Sequence, residues 1–197
     1  MSSNIPYKGV LIGRLVQLEK FNDEHIEPLG KIARDERIWA HLPYSVSSDE
    51  SFEQYILQLK TDSDKGLRVA YVARNKSTNE VCGCTSFLNI DKENRKLEIG
   101  GTWFNPAVWG TRINTESKLL LLTYCFEELH IMRAELVTRE SNIRSQKAIE
   151  KAGGVKEGLI RCHRINPDGT FRNTVLYSFI QPEWPATKMK LQQLLLA

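Results

Sequence analysis

The sequence "LEIGGTWFNPAVWGTRINTESKLLLL", residues 97–122, contains two adjoining segments of different periodicity. Its first eight residues are β-rich, and a Pro-Trp-Gly connection then leads into a leucine-rich segment with helical spacing over residues 112–129. The run "MRAELVT", residues 132–138, alternates like a strand again. Strand, helix and strand in this order predict a β-α-β unit, whose two strands are parallel and whose crossover is right-handed.

The segments before this unit predict a meander preceded by helices. "LRVAYVAR" and "EVCGCTSFLNI" are β-rich runs separated by the loop "NKSTN", and with residues 97–104 they form three antiparallel strands. "GRLVQLEKF" predicts a first strand. "NDEHIEPLGKIARDERIW" and "SSDESFEQYILQLK" predict two helices, begun by Asn22 or Asp23 and by Ser48.

The segments after the unit predict a short helix and a closing hairpin. "NIRSQKAIEKAGG" forms a helix over residues 142–152 that stops at Gly153 and Gly154. "VKEGLIRCHRI" and "FRNTVLYSFI" flank the turn "NPDGT", and the tail "KMKLQQLLLA" is either helical or frayed. The order β-α-α-β-β-β-α-β-α-β-β predicts an α+β fold in a single domain over residues 1–197. Its mixed sheet is antiparallel in the first half and has one parallel β-α-β step.

The composition is that of a soluble globular protein, with 197 residues, 41% hydrophobic and 26% charged. The net charge of +3 is too small to indicate a nucleic-acid partner, although it tolerates a polyanionic small ligand. We find no run of 18 apolar residues and no signal-peptide core, so we expect a cytoplasmic protein without a membrane partner. The cysteines at 82, 84, 125 and 162 lie in apolar segments without a zinc-site pattern, which predicts reduced, mostly buried thiols and no metal.

The start of the helix near residue 112 has two interpretations. Its unpaired N–H groups form an anion site, or Asn114 or Thr111 simply caps them. The local sequence alone favours the capped helix, because most helix starts hold no ligand. The β-α-β context favours a ligand, since such a step can leave a crevice at the carboxyl end of its first strand. Neither a dinucleotide fingerprint nor a P-loop is present.

The order of elements and three sequence words resemble the GCN5-related N-acetyltransferases (GNAT), in their RimJ/RimL-like branch. The words are "LEIGGTWFNPAVWGT", "NIRSQKAIEKAG" and "KEGLIRCHRINPDGTFRNTVLYSFIQPEWP", and the resemblance covers roughly residues 8–185. It implies that the protein moves an acetyl group from acetyl-CoA to a primary amine by direct transfer in a ternary complex. In this branch the acceptor includes protein N-terminal amines.

The resemblance also implies where acetyl-CoA binds. Backbone amides of the loop would hold its pyrophosphate, and the loop consists of Trp109, Gly110, Thr111, Arg112, Ile113 and Asn114. The pantetheine arm would lie between two splayed parallel strands, against the backbone of Gly101, Thr102, Trp103 and Phe104, and would contact Asn142. The family's second glycine is Arg112 here, and its small sixth residue is Asn114. This change is harmless if Arg112 is helical with its guanidinium toward a phosphate. Otherwise it weakens binding, which leaves a non-catalytic acyl-CoA-binding or regulatory module as the alternative.

Ser145 is the candidate acid for the departing thiolate. It shares the inward stripe of its helix with Ala148, Ile149 and Ala152. A hydroxyl on this face either bonds to a carbonyl one turn earlier or faces a cavity. Periodicity favours the first outcome, whereas the resemblance favours the second, because the RimL-like branch uses a serine in this Asn-x-x-Ser word. A bulge at the glycine pair 100–101 would aim a backbone N–H at the oxyanion.

The general base stays open between Glu98, His163 and a water relay. Glu98 alternatively pairs with Arg95 or Lys96, and a lone strand histidine is more often structural or exposed than catalytic. Glu116, in the first turn of the helix, is expected to be structural or to match the helix dipole. Trp39, Tyr44 and the two early helices are expected to line the acceptor side, without a code for one amine. An exposed apolar terminal hairpin would allow a homodimer.

Overall fold

An eight-stranded mixed sheet forms the centre of the computed structural model, which describes residues 7–42, 44–46, 48–166 and 168–196. The strands are β1 (Val10–Ile12), β2 (Val16–Lys20), β3 (Arg68–Asn75), β4 (Val81–Asp91), β5 (Lys96–Phe104), β6 (Arg133–Arg139), β7 (Val155–Ile165) and β8 (Phe171–Ile180). The helices are α1 (Ile26–Ile32), α2 (Asp49–Asp64), α3 (Ile113–Thr123), α4 (Ile143–Lys151) and α5 (Trp184–Leu196). The strand order is β1-β2-β3-β4-β5-β6-β8-β7, with β5 and β6 parallel and the other neighbours antiparallel. The predicted α+β architecture is confirmed.

Helices cover both faces of this sheet. Alternate residues of β3 belong to two separate cores: Val69, Tyr71 and Ala73 pack on one face, and Ala70 and Val72 on the other. The first core contains buried side chains of α3, α4 and α5, and the second contains those of α1 and α2. The long meander is therefore buried on both sides, which keeps β5 rigid where it approaches the centre of the sheet.

The N-terminal region differs from the prediction in two ways. The predicted first strand is present as β2, but a three-residue edge strand, β1, pairs with it and was missed because it is too short to show a period. The helix predicted over residues 22–39 is broken. Asn22 caps a short 3₁₀ turn that leads into α1, as its side chain predicted. The Asp35 carboxylate then accepts the N–H of Arg37 and begins a separate turn, which ends the helical run.

The later helices follow their predictions closely. The segment 112–129 is α3 followed by a π turn over Tyr124–Glu128. Its buried side is centred on Leu121, Leu122 and Cys125, whereas Leu119 is only half-buried. Ser48 caps α2. The tail is helical, since α5 begins at Trp184 and anchors its buried side against the α3 face of the sheet.

The cysteines are mostly buried, as predicted. Cys82, Cys84 and Cys125 are buried, and Cys162 is exposed. It lies in β7 where the register shifts between Ile160 and Arg164, and its φ of +49° breaks the strand alternation. Periodicity cannot orient side chains at such a bulge.

Candidate active site

The parallel strands β5 and β6 part in the middle of the sheet. Their last paired residues are Glu98 and Glu135, although β5 continues to residue 104 and β6 to residue 139. A bulge explains the divergence, because Ser86 of β4 faces Gly100 whereas Cys84 faces Trp103. Gly101 at the bulge has φ +58°, which glycine adopts without strain. The predicted bulge at the glycine pair is therefore present, and it turns the end of β5 away from β6.

A cleft of about 570 Å³ lies where the strands separate. It is bounded by the end of β5, the end of β6, the start of α3 and the start of α4. The predicted site residues that line it are Glu98, Gly101, Thr102, Trp103, Phe104, Trp109, Gly110, Thr111, Asn114, Asn142 and Ser145. His163, Arg112 and Ile113 are not among its lining residues. Most of the predicted site is thus brought together from three separate stretches of sequence.

The amino terminus of α3 keeps free N–H groups at this cleft. Its N-cap residue, Arg112, makes no side-chain cap, and the N–H groups of Arg112, Asn114 and Thr115 have no acceptor among the described residues. Thr111 donates its hydroxyl to the carbonyl of Val108 at 2.7 Å, and its Oγ1 accepts the Ile113 N–H at 3.4 Å. Thr111 therefore caps the helix start only in part. The helix start presents free donors and a partial positive charge to the cleft.

Gly110 gives the loop before α3 a left-handed turn that leaves open space beside the backbone. Its φ is +76°, and no heavy atom lies within 4 Å of the position that a Cβ would occupy. Trp109 fixes the loop, since its indole Nε1 donates to the carbonyl of Phe104 at 2.8 Å. The Arg144 guanidinium lies over the ring of that indole, 3.9 Å from the ring centroid. The residues present therefore fit a phosphate held by backbone amides.

Arg112 is accommodated because it needs no glycine conformation. Its backbone is helical, with φ −78° and ψ −4°. Its guanidinium, however, does not face the cleft: Nη1 donates to the carbonyl of Leu195 at 2.7 Å, at the end of α5. The change from glycine is therefore harmless to the backbone, because Arg112 is already helical. Its side chain, however, does not have the expected orientation toward a phosphate.

Lys118 is a functional candidate that the sequence did not reveal. It lines the cleft one turn after Asn114, and its Nζ donates to the Asn114 Oδ1 at 2.6 Å. Burial lowers the pKa of Lys118 to about 8. The i, i+4 spacing of the two residues on α3 is the signal that would have indicated their contact.

Ser145 faces the cleft with a free hydroxyl. Its backbone N–H donates to the Asn142 Oδ1 at 3.1 Å, so Asn142 is the N-cap of α4. The Ser145 hydroxyl forms no hydrogen bond with any other residue that the structure describes. Periodicity alone favoured a hydrogen bond from this hydroxyl to a carbonyl one turn earlier, and that bond is not present among the described residues. The side chain is half-buried, so the hydroxyl remains available to a ligand.

Glu98 is a buried carboxylate at the point where the strands part. Only 7% of it is exposed, and it accepts a hydrogen bond from the Asn89 Nδ2 at 2.8 Å. Burial raises the pKa of Glu98, opposed by the Asn89 hydrogen bond and the Arg164 charge. It does not pair with Arg95, whose Nε donates to the carbonyl of His130.

His163 and Trp39 lie elsewhere than the active-site predictions placed them. His163 is exposed on β7, and partial desolvation together with the Arg164 and Arg172 charges lowers its pKa. Trp39 is a core residue, since its indole Nε1 donates to the carbonyl of Ala33 at 2.7 Å, whereas Tyr44 does line the cleft. The sequence could not separate these cases, because strand and turn aromatics carry no burial signal of their own.

Glu116 is structural. Its buried carboxylate accepts the N–H groups of Arg14, Leu15 and Val16 at 2.9, 2.7 and 2.8 Å. The first turn of α3 is thereby tied to the β1–β2 turn about a hundred residues earlier in the chain. The carboxylate of Glu116 therefore has a structural role, although it lies in the first turn of α3 close to the proposed phosphate site.

Comparison with known proteins identifies the family. Residues 15–155 match the family model described as "Acetyltransferase (GNAT) domain", and the chain belongs to this family. It is 26% identical to "Uncharacterized N-acetyltransferase p20" of Bacillus licheniformis over 85% of this chain and 93% of that protein. It is 34% identical to "Putative ribosomal N-acetyltransferase YdaF" of Bacillus subtilis over 55% of this chain, and this match spans 58% of that relative's length.

A solved structure confirms the architecture. The GCN5-related N-acetyltransferase from Brucella melitensis is 27% identical, with a TM-score of 0.88 over 96% of this chain and 86% of that one. The predicted resemblance to the GNAT family is therefore confirmed. In the part of the chain that the structure describes, no helix has the length and apolar character needed to cross a membrane.

Proposed function

We propose that this protein is an N-acetyltransferase that moves the acetyl group of acetyl-CoA to a primary amine. One observation carries the proposal: β5 and β6 part after Glu98 and Glu135 beside the start of α3, whose N-cap residue makes no side-chain cap. The free N–H groups of that helix start suit a pyrophosphate. The unpaired backbone of β5 then suits an amide-bearing arm inserted in the gap, in the manner of an added strand.

Two side chains in the cleft suit the chemistry. The amine nitrogen forms a bond to the acetyl carbon while the carbon–sulfur bond breaks, so one proton leaves the nitrogen and negative charge develops on sulfur. Glu98 is the proposed base, directly or through water, because burial raises its pKa toward the working range of a base. The Ser145 hydroxyl donates a hydrogen bond to the departing thiolate. A backbone N–H at the β5 bulge stabilises the oxyanion.

The alternative, a non-catalytic acyl-CoA-binding module, rested on the changed loop at Arg112. The helical backbone of Arg112 supports the catalytic proposal, since the loop keeps free amides without a second glycine. The name of the Bacillus subtilis relative, a putative ribosomal N-acetyltransferase, supports testing protein acceptors. We therefore include peptides with a free N-terminal amine among the acceptors.

The deciding experiment is an acceptor screen with acetyl-CoA and amines of several classes: peptides, amino acids, amino sugars and polyamines. Acetylated product is detected by mass spectrometry, since the exposed Cys162 would react with a thiol reagent and raise the background. Initial rates at varied concentrations of both substrates should give intersecting reciprocal plots, as direct transfer in a ternary complex requires. Thermal stabilisation by CoA with no product from any amine would favour the binding module instead.

A further inference from the structure

The acceptor side of the cleft contains more positive charge than its own carboxylates neutralise. Five arginines line the cleft: Arg68, Arg139, Arg144, Arg164 and Arg172. We refer to Arg68 of β3, Arg164 of β7 and Arg172 of β8 as the acceptor arginines. Glu98 is the sole carboxylate among the lining residues that the structure describes. Such an excess requires a reason, because charges at a partly buried site destabilise the fold unless they are compensated.

Arg68 lies next to the β5 bulge and keeps an unpaired hydrogen-bond donor. Its side chain is 12% exposed, and its buried Nε has no hydrogen-bond partner among the described residues. The closest carboxylate oxygen, on Asp62, is 3.9 Å from Nε, beyond hydrogen-bond range. One Nη lies 3.5 Å from the position that a Cβ on Gly101 would occupy. The guanidinium is thus held where an acceptor substrate would meet the reacting carbonyl.

Arg164 and Arg172 are placed directly opposite each other. They are register partners across β7 and β8, an arrangement in which like charges repel. The buried Nε of Arg172 has no hydrogen-bond partner among the described residues. The nearby Arg139 adds to the charge, and its Nη2 donates to a neutral oxygen, the Asn166 Oδ1, at 2.8 Å. Burial and the charges of Arg139 and Arg164 lower the pKa of Arg172.

The acceptor arginines are distinct from the groups that suit the cofactor phosphates. The free amides of α3 and the loop at Gly110 lie after the end of β5. Arg68 and Arg164, in contrast, act on Glu98, where the charges of both lower the pKa that burial raises. Two of the three acceptor arginines, Arg68 and Arg164, therefore act on the proposed base rather than on the proposed pyrophosphate site. A planar guanidinium with unused donors matches a carboxylate or phosphate group.

We propose, on the basis of the acetyl transfer proposed above, that the acceptor is an amine that carries an oxyanion a few bonds from its nitrogen. The acceptor arginines bind the carboxylate or phosphate and thereby direct the amine toward Glu98. Amines with further positive charges, such as polyamines, are repelled by the same residues. The oxyanion belongs either to a small molecule or to an acidic side chain near the start of a peptide.

Matched acceptors test this specificity. The peptide pair is Ser-Glu-Glu-Tyr-amide and Ser-Gln-Gln-Tyr-amide, and the small-molecule pairs are β-alanine with β-alaninamide and phosphoethanolamine with ethanolamine. We expect kcat/KM to be at least about tenfold higher for the anionic member of the preferred pair, which is the effect of one charge-assisted contact. The pair with the larger ratio identifies the source of the oxyanion. Equal use of both members in every pair overturns the proposal.

Three variants locate the effect. Arg164→Gln and Arg172→Gln should each lower the ratio of kcat/KM for the anionic acceptor to kcat/KM for the neutral acceptor by about tenfold, with CoA affinity nearly unchanged. Arg161→Gln is the matched control, because Arg161 is exposed on the same strand and is not among the cleft residues. Equal losses for both acceptors, or the same loss in Arg161→Gln, overturn the proposal. Arg164 is exposed, so this variant should fold even if Arg172→Gln does not.

Binding separates this proposal from the proposed function. If no amine is acetylated, the function fails, and calorimetry of the two peptides with the CoA-bound protein still decides the specificity. Preference for the acidic peptide that is lost in Arg164→Gln supports the acceptor arginines as an oxyanion site. Equal affinity for both peptides overturns it.

Discussion

Glu98 and Glu135 are the last residues that pair across the parallel strands β5 and β6. Beyond them, the two strands separate because the bulge at Gly101 turns β5 away. The opening exposes unpaired backbone groups in the middle of a sheet, where they would normally be satisfied by a neighbouring strand. A ligand with amide groups can satisfy them, and the proposed function assigns this role to the arm of acetyl-CoA.

Replacing the buried carboxylate should reduce turnover without loosening the cofactor. Glu98→Gln is expected to lower kcat by about 100-fold, as loss of a general base typically does, with an unchanged Kd for CoA. In the unmodified protein, kcat/KM should fall as the pH drops through the Glu98 pKa, which burial raises above 4.5. This acid limb should be absent in the variant. Glu93→Gln, at an exposed turn, is the control, and an identical pH profile in all three proteins would exclude Glu98 as the base.

The same substitution should also stabilise the fold at neutral pH. A carboxyl group whose folded pKa is raised contributes stability below its unfolded pKa and loses it as the pH rises through the folded value. Ionised Glu98 therefore opposes folding at pH 7, and Glu98→Gln should shift the urea midpoint upward at pH 7 but not at pH 4. A lower midpoint at pH 7 would show that the ionised carboxylate is instead stabilised by the neighbouring arginines.

The free hydroxyl of Ser145 should matter for the chemical step rather than for binding. Ser145→Ala is expected to lower kcat by at least about tenfold, while the Kd for CoA changes by less than about twofold. Stopped-flow measurement of kcat and calorimetry with CoA separate the two quantities. Ser141→Ala, at an exposed position just before α4, should leave both unchanged. Parallel losses of turnover and affinity in Ser145→Ala would remove this residue from the acid role.

Gly110 provides a test of the proposed phosphate site. Gly110→Ala adds a Cβ at φ +76°, a strain of roughly 1–2 kcal/mol, and also places a methyl group where a ligand would approach the loop. Gly169→Ala imposes the same kind of strain at φ +82° in the β7–β8 turn. Both variants should lose similar stability in urea, but only Gly110→Ala should weaken CoA binding, by about tenfold or more. Equal CoA affinity in the two variants would place the pyrophosphate elsewhere.

Glu116 should affect stability strongly. Glu116→Gln leaves one acceptor oxygen for three backbone N–H groups and turns an amide toward the others, so we expect a loss of about 3 kcal/mol in the free energy of unfolding. Glu80→Gln, on an exposed loop, should stay within about 0.5 kcal/mol. Urea titration measures both, and a neutral result for Glu116→Gln would mean that the β1–β2 turn is held by other contacts.

The architecture was predictable because periodicity is a local property. The β-α-β unit, the bulge at the glycine pair and the caps at Asn22 and Ser48 all depend on residues close together in the chain. The missed features are those with too little local signal: the three-residue β1 and the irregular stretch of β7 around Cys162. Strand alternation fails at a bulge, so the exposure of Cys162 could not be predicted from the sequence.

The order of elements, the family resemblance and the position of the loop at Gly110 could be predicted from the sequence, because each depends on short-range spacing and backbone preference. Which charges meet depends on the tertiary structure. Glu116 binds the backbone of a distant turn, and Arg112 binds a carbonyl at the end of α5. The three acceptor arginines line one cleft although they lie on β3, β7 and β8. These contacts join residues that are far apart in the chain, and strand pairing and packing bring them together without leaving a periodic trace in the sequence.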